Sequence, residues 1–324
     1  MEKWCKPAVS AESFLTGLRV RNTLAGRQPV ELVPAAGRRL NWYICGPTVY
    51  SDSHLGHAKT YLCFDILRKI LTRHFRYDVH QVMNVTNIED KIIKASAERG
   101  EDYFDFATRW ERDFFEVMGL LGVDLPDQVT RVSEFVPEIV AFVERIVERG
   151  FAYAANGSVY FDIQAFKRAG HCYPKLRPLG AAEEAASQPA EEAASQPAGE
   201  AAPQPAGEAT GELYDEEETD GFAVEKRFRG DFVLWKRSKE GEPAWDSPWG
   251  RGRPGWHIEC SAMCAKVLPT PIDMHSGGDD LAFPHHSNEI AQCEAFYGTQ
   301  QWVNYFTHTG RMNINGQKRS EERR

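Results

Sequence analysis

Hydrophobic positions along this chain switch between two periods, and the switches mark its elements. Residues 38–46 read RRLNWYICG, a short apolar run that ends on a Gly-Pro turn and predicts a strand leading into a turn. In HAKTYLCFDILRKILTRHF, residues 57–75, Phe64, Leu67, Leu71 and Phe75 fall near helical spacing and predict an amphipathic helix. YDVHQVMNV, residues 77–85, predicts a second strand. Strand, glycine-bearing turn, helix and strand in this order open a doubly wound α/β sheet, where ligands sit outside the carboxyl ends of the strands. Residues 101–150 read as helical, and EFVPEIVAFVERIVERG closes on a glycine suited to a helix C-terminus. FPHHSNEIAQCEAF, residues 283–296, predicts a helix opened by Pro284 at its first position.

The pattern fails in one place. From Leu179 to Leu213 an eight-residue unit recurs as EEAASQPA, EEAASQPA and GEAAPQPA. Alanine, proline, glutamine and glutamate bury too little apolar surface to offset chain entropy, so residues 180–221 are expected to form a disordered acidic loop. Apolar stretches resume on both sides, VYFDIQAF before it and DFVLWK after it, so the loop interrupts ordered structure. The expected organisation is an N-terminal extension over 1–16 and the first half of the doubly wound α/β domain over 17–100. An inserted connective region of helices and short strands covers 101–179. The acidic repeat then precedes a second half over 222–317 and a tail over 318–324.

At 324 residues and 42% hydrophobic content the chain can bury a sizeable core. No apolar run reaches the length of a membrane span, and the N-terminus resembles neither a signal nor a transit peptide, so a soluble cytoplasmic protein is expected. Seven scattered cysteines without a signal peptide predict reduced thiols, some of them free to bind metal. The formal charge of -9 is misleading, because residues 181–220 contribute twelve acidic residues and no Lys or Arg. Without those twelve negative charges the remainder carries +3, which is compatible with a polyanionic partner.

Two constellations carry candidate chemistry. His54 and His57 bracket Gly56 where the first turn enters a helix, a place where backbone N–H groups, the positive helix end and two imidazoles can face an anion. The second constellation is a possible zinc site. His285 and Glu289 stand i, i+4 on the helix predicted after Pro284 and can point at one ion. Cys45 and Cys260 could complete a tetrahedral set, with Cys264, His257 and His286 as competitors. Each of these residues alone has a structural reading too, since a buried cysteine often serves as a small inert hydrophobe.

YICGPTVYSDSHLGHAKTY, MNVTNIEDKIIKAS, GSVYFD, DFVLWK, SPWGRGRPGWHIECSAM and HSGGDDLAFPHHSNEIAQCEA together resemble class I cysteinyl-tRNA synthetases of the cytosolic eukaryotic type. The resemblance spans nearly all of residues 17–317 outside the acidic repeat. It implies a Rossmann-like parallel sheet with a connective insertion, a zinc ion on Cys45, Cys260, His285 and Glu289, and ATP with Mg2+ as substrate. It further implies that His54, Gly56, His57 and Lys318 bind ATP, the two histidines holding its phosphates and acting in catalysis. Gly46, Thr86, Trp256, Asp280 and His285 would line the L-cysteine pocket, with Asp280 meeting the substrate ammonium, and Lys91 and Lys94 would face tRNA(Cys). Zinc would explain selection of cysteine over serine, because a methylene or hydroxyl difference in an apolar slot yields only about 1–3 kcal/mol.

In the family's KMSKS signature, Lys318 and Ser320 match here, in QKRSEERR, but Arg319 replaces Met and Glu321 stands where the second Lys belongs. Loss of one such phosphate donor costs on the order of 3 kcal/mol of transition-state stabilisation, so slow adenylation is expected. From the resemblance, the helical domain that reads the anticodon is expected to be missing from residues 1–324. Two further readings follow. One is a ligase passing activated cysteine to a small amine. The other is an impaired or inactive fragment that only binds zinc and cysteine or serves as an interaction protein.

Overall fold

The computed structural model describes residues 4–176 and 225–310, together with the backbone of 313–314 and 317–318. The acidic repeat at 180–221 and the tail after Lys318 lie outside the described residues.

A hairpin of β1 (Arg19–Asn22) and β2 (Gln28–Glu31) precedes β3 (Arg39–Ile44), whose last five residues are all buried. Helix α1 (Leu55–Lys69), continued by a π turn over Ile70–His74, returns the chain to β4 (Asp78–Val85). Two helices, α2 (Asp90–Arg99) and α3 (Tyr103–Leu120), then lead to β5 (Gln128–Arg131) and α4 (Val136–Glu148). The strand β5 falls inside the stretch expected to be helical. Its four residues are too short to register against the helical periodicity on either side, and its pairing with β4, Val82 opposite Gln128, holds it extended.

After α4 the chain forms β6 (Ala152–Ala155), β7 (Ser158–Phe161) and α5 (Ile163–Arg168). Beyond the undescribed stretch come β8 (Phe232–Arg237), β9 (Gly252–Pro254), α6 (Trp256–Val267), β10 (Ile272–Gly278), α7 (Ser287–Tyr297) and β11 (Val303–Thr309). Two short strands, β12 (Asn313–Ile314) and β13 (Gln317–Lys318), pair with each other.

Five strands form one parallel sheet in the order β11-β10-β3-β4-β5. Counted along this sheet, the order is 3-2-1-4-5, the doubly wound arrangement. The chain winds outward from β3 in one direction through β4 and β5 and in the other through β10 and β11, so a crevice opens between β3 and β10. Strands β6, β7, β8 and β9 form a separate antiparallel sheet. DFVLWK at 231–236 therefore pairs with the hairpin at 152–161, and the antiparallel sheet draws strands from both sides of the undescribed stretch. Asp90, at the start of α2, pairs with Lys236 and Arg253 and ties this sheet to the parallel one.

Helices α6 and α7 are buried on almost every side, from His257 to Cys264 and from Ser287 to Ala295. They pack on each other and on α4 in the main hydrophobic core. A helix enclosed all round can direct polar side chains inward where partners await them. These two helices carry most of the site.

Candidate active site and metal centre

The crevice between β3 and β10 begins at Cys45, whose N–H donates to the Ser276 carbonyl across the two strands at 2.9 Å. Gly46 follows and donates its N–H to Asn84 Oδ1 on β4 at 2.9 Å. A Cβ at position 46 would stand 1.7 Å from the Asn84 carbonyl oxygen. Only glycine permits this approach of two strand ends.

The four side chains named as zinc ligands converge. Cys45 and Cys260 sulfurs are 3.8 Å apart, Cys45 Sγ is 3.6 Å from Glu289 Oε1, and His285 Nε2 is 3.1 Å from the same oxygen. The donor atoms of all four lie within 4.8 Å of one another and all four residues are buried. Zinc–sulfur bonds of about 2.3 Å and zinc–nitrogen or zinc–oxygen bonds of about 2.0–2.1 Å give tetrahedral edges of about 3.8 Å for S···S, 3.6 Å for S···O and 3.3 Å for N···O. The observed edges match this pattern, so the residues fit a tetrahedral ion. The segment before α7 does not open at Pro284 as a regular helix. Residues Ala282–His286 form a π turn in which Phe283 is extended (φ -144°, ψ 132°), and the regular helix starts at Ser287. The His285–Glu289 contact survives because the kink lies before both residues.

Cys264 lies in the buried core one turn after Cys260 and belongs to neither cluster of converging donors. His286 does approach: its Nε2 is 3.3 Å from Cys45 Sγ, and with His275, Cys45 and Glu289 it makes a second, overlapping set. Among the described residues, then, Cys260→Ala is expected to lower zinc affinity at least tenfold while Cys264→Ala leaves one equivalent bound. Metal analysis after dialysis against a weak chelator distinguishes the two, and equal loss from both would contradict the assignment of Cys260.

Sequence reasoning missed His275 on β10 and His308 on β11. His275 Nε2 bonds Glu289 Oε2 at 2.8 Å, so the carboxylate is held by a histidine on each oxygen. His286 Nδ1 meets His308 Nε2 at 2.7 Å, and His308 Nδ1 meets Thr23 Oγ1 at 2.7 Å. His257 Nδ1 lies 2.9 Å from His285 Nδ1. The available signal was a histidine inside each of two strands that enter a buried sheet, since a polar side chain there needs a partner.

Burial sets the protonation of this cluster. It pushes the Cys45 thiol well up, with Cys260 and Glu289 adding to the effect. The hydrogen bond from Cys45 pulls Cys260 down, but burial and the nearby Glu289 carboxylate outweigh it and leave Cys260 at about 11. Burial drives His285 and His286 well below the ordinary histidine value, and His308 down to about 3. Neutral imidazole is the metal-binding form. Because their folded values are depressed, these histidines contribute stability that is complete above pH about 6.5 and lost as pH falls below it. Each proton gained only on unfolding costs about 1.4 kcal/mol per pH unit. The urea midpoint of the metal-free chain is therefore expected to fall steeply between pH 6.5 and 5. A flat midpoint over that range would contradict neutral burial.

The His54–His57 turn caps α1 in an unexpected way. His54 Nδ1 accepts from the backbone N–H groups of Gly56 (3.1 Å) and His57 (3.3 Å), while His57 Nδ1 accepts from His54 N–H (3.4 Å). The two rings stack with centroids 3.9 Å apart. The N–H groups expected to face an anion are thus engaged by the His54 ring, as helix-start donors usually find a side-chain partner. A Cβ at Gly56 would meet that ring at 2.8 Å. Tyr61, one turn further on, donates its hydroxyl to the Cys45 carbonyl at 3.3 Å and joins this turn to the metal cluster.

The other named residues divide. Trp256 opens α6 with its ring centroid 4.3 Å from that of His285. Thr86 is buried at the end of β4, bridged to Thr48 on the other side of the crevice turn. Asp280 is exposed on the short turn Asp279–Leu281 after β10, and Lys91 and Lys94 are exposed on α2. Lys318 lies in β13.

The doubly wound sheet, with an imidazole-capped helix and a buried thiol–imidazole–carboxylate cluster at its switch point, belongs to a class I aminoacyl-tRNA synthetase catalytic core, as the match to a family model over most of the chain shows. The sequence model of the family described as "tRNA synthetases class I (C) catalytic domain" matches residues 31–323, and the chain belongs to the class I cysteinyl-tRNA synthetases. It is 48% identical to the cytoplasmic cysteine–tRNA ligase of Dictyostelium discoideum over 98% of its own length and 44% of that protein. It is 42% identical to the cysteine–tRNA ligase of Thermococcus gammatolerans over 94% of its length and 56% of that protein. The chain spans about half the length of the curated relatives it matches. Among solved structures, Mycobacterium tuberculosis methionyl-tRNA synthetase in complex with methionyl-adenylate shares the fold, with a TM-score of 0.55 and 13% identity over 84% of this chain and 57% of that one.

Proposed function

We propose that this chain activates L-cysteine with ATP and Mg2+ to cysteinyl adenylate and passes the cysteinyl group to the terminal ribose of tRNA(Cys), in the cytosol. One observation carries the reading: Cys45, Cys260, His285 and Glu289 meet at the switch point of the sheet, beside the His54–His57 turn. These four residues would hold zinc, and the bound ion would supply a thiol-selective Lewis acid, bonding sulfur more strongly than a serine hydroxyl. His275 and His285 orient the Glu289 carboxylate, His257 fixes the His285 ring, and burial keeps water away from the cluster. His54 and His57 lie at the positive end of α1, where the capped N–H groups exchange the His54 ring for a phosphate oxygen. The α-phosphate is then held for in-line attack by the cysteine carboxylate, with positioning and charge stabilisation supplying the rate. Lys91 and Lys94 face the acceptor end of the tRNA. No helix among the described residues is long and apolar enough to cross a membrane, and two of the relatives are named cytoplasmic.

Pyrophosphate exchange tests the reading. Exchange into ATP is expected with L-cysteine and not with L-serine, at a slow rate because Glu321 stands at a lysine position of KMSKS. Equal exchange with both amino acids would overturn it. Cysteine bound with a full equivalent of zinc but no exchange would favour the second reading, a binding protein, which Glu321 supports.

A further inference from the structure

At the end of β4 a hydrogen-bond relay has its direction set by a backbone group. Gly46 N–H can only donate, and it donates to Asn84 Oδ1 at 2.9 Å. The Asn84 amide is thereby turned so that its Nδ2 donates to Thr86 Oγ1 at 3.3 Å. Thr86 has one proton of its own, and its hydroxyl donates to Glu259 Oε2 at 3.3 Å. Glu259 is fully buried on α6, adjacent to Cys260, and its Oε1 has no hydrogen-bond partner. A buried carboxyl group with one oxygen left without a partner calls for a reason.

We infer that Glu259 is a positioning residue for amino acid recognition: by accepting the hydrogen bond of the Thr86 hydroxyl it leaves that hydroxyl only an acceptor lone pair to offer, so Thr86 receives one N–H of the substrate α-ammonium, beside the one expected to meet Asp280, and rejects the carboxylate. The inference rests on the reading of this crevice as a cysteine pocket with Thr86 in its wall. A free hydroxyl can turn to donate or accept and therefore discriminates poorly between the two ends of an amino acid. A hydroxyl whose proton is already committed reads one polarity. Glu259 touches Thr86, and it acts by fixing which way the hydroxyl points.

Three thiols separate the groups involved. L-cysteine carries both ammonium and carboxylate, cysteamine only the ammonium, and 3-mercaptopropionate only the carboxylate. Their affinities for the zinc-loaded chain are measured by titration calorimetry in the unmodified protein and in Glu259→Leu, Glu259→Gln and Thr86→Val. Glu259→Leu frees the Thr86 proton, so it is expected to weaken cysteamine severalfold and to tighten 3-mercaptopropionate severalfold, narrowing the preference between the two by about tenfold. Glu259→Gln, which keeps an acceptor for Thr86, restores the affinities. Thr86→Val, which removes the hydroxyl, weakens L-cysteine and cysteamine and leaves 3-mercaptopropionate within about twofold, and Glu259→Met takes the place of the leucine variant if that variant does not fold. Equal weakening of all three thiols, or weakening of 3-mercaptopropionate alone, would overturn the inference. Failure of the unmodified, zinc-loaded chain to bind any of the three would overturn the cysteine-pocket reading itself, and the inference with it.

Discussion

Glu289→Ala is expected to abolish tight zinc binding and to lower the stability of the metal-free chain by several kcal/mol. Two effects add. The first is the loss of one of four donors: Glu289 Oε1 stands at 3.1 Å from His285 Nε2 and 3.6 Å from Cys45 Sγ, in the middle of the tetrahedral set. The second does not involve metal. Glu289 is fully buried, and its other oxygen holds His275 Nε2 at 2.8 Å. Truncation strands two buried imidazole nitrogens, each worth about 1–3 kcal/mol when unsatisfied. Zinc content after dialysis and the urea midpoint at pH 7.5 without metal read the two effects separately. A variant that keeps one equivalent of zinc, or melts within about 0.5 kcal/mol of the unmodified chain, the range of ordinary surface substitutions, would show that Glu289 does not organise the cluster.

Gly46→Ala is expected to be as damaging without touching a donor atom. The new methyl would lie 1.7 Å from the Asn84 carbonyl oxygen, 2.9 Å from its carbon and 3.0 Å from Met83 Cγ. Two of these are backbone atoms of β4, itself held between β3 and β5, so no side-chain rotation relieves the clash. Overpacking a core commonly costs about 1–3 kcal/mol, and backbone displacement exceeds that range. The displaced residue is the neighbour of Cys45, so zinc affinity falls together with stability. Gly119→Ala is the control. It sits near the end of α3 with nothing within 4 Å of its added Cβ, and alanine there is neutral or stabilising by up to about 1 kcal/mol. Similar melting temperatures for the two variants would contradict the close approach at Gly46.

Much of the architecture was legible in local pattern. The strand at 39–44 and the helix after His54 follow from apolar runs and periodicity, because each buries a face whose spacing the backbone geometry dictates. The strand β5 was not legible, since four residues between two helices leave no period to read. The start of α7 was misplaced for a related reason: proline at a helix start is a local preference, whereas the turn over Ala282–His286 answers to the packing that brings His285 and His286 to the cluster. The His54–His57 turn was legible as a helix start but not as a reciprocal cap, because the ring orientations depend on how two neighbouring imidazoles stack.

The residue types of the candidate metal centre were named from motif resemblance, and the chain by itself determined which elements carry them. What only the tertiary structure decided is which atoms meet. Cys45 and Glu289 are 244 residues apart and are joined by strand order, because the doubly wound sheet places β3 beside β10 and drops α6 and α7 beneath their ends. The same long-range packing excludes Cys264, one helical turn from Cys260, and recruits His275 and His308, whose places in buried strands signal that each needs a partner but not which one. Spacing along a chain reports neighbours within a turn or a pleat, while burial in a shared core is what aims side chains from distant segments at one point.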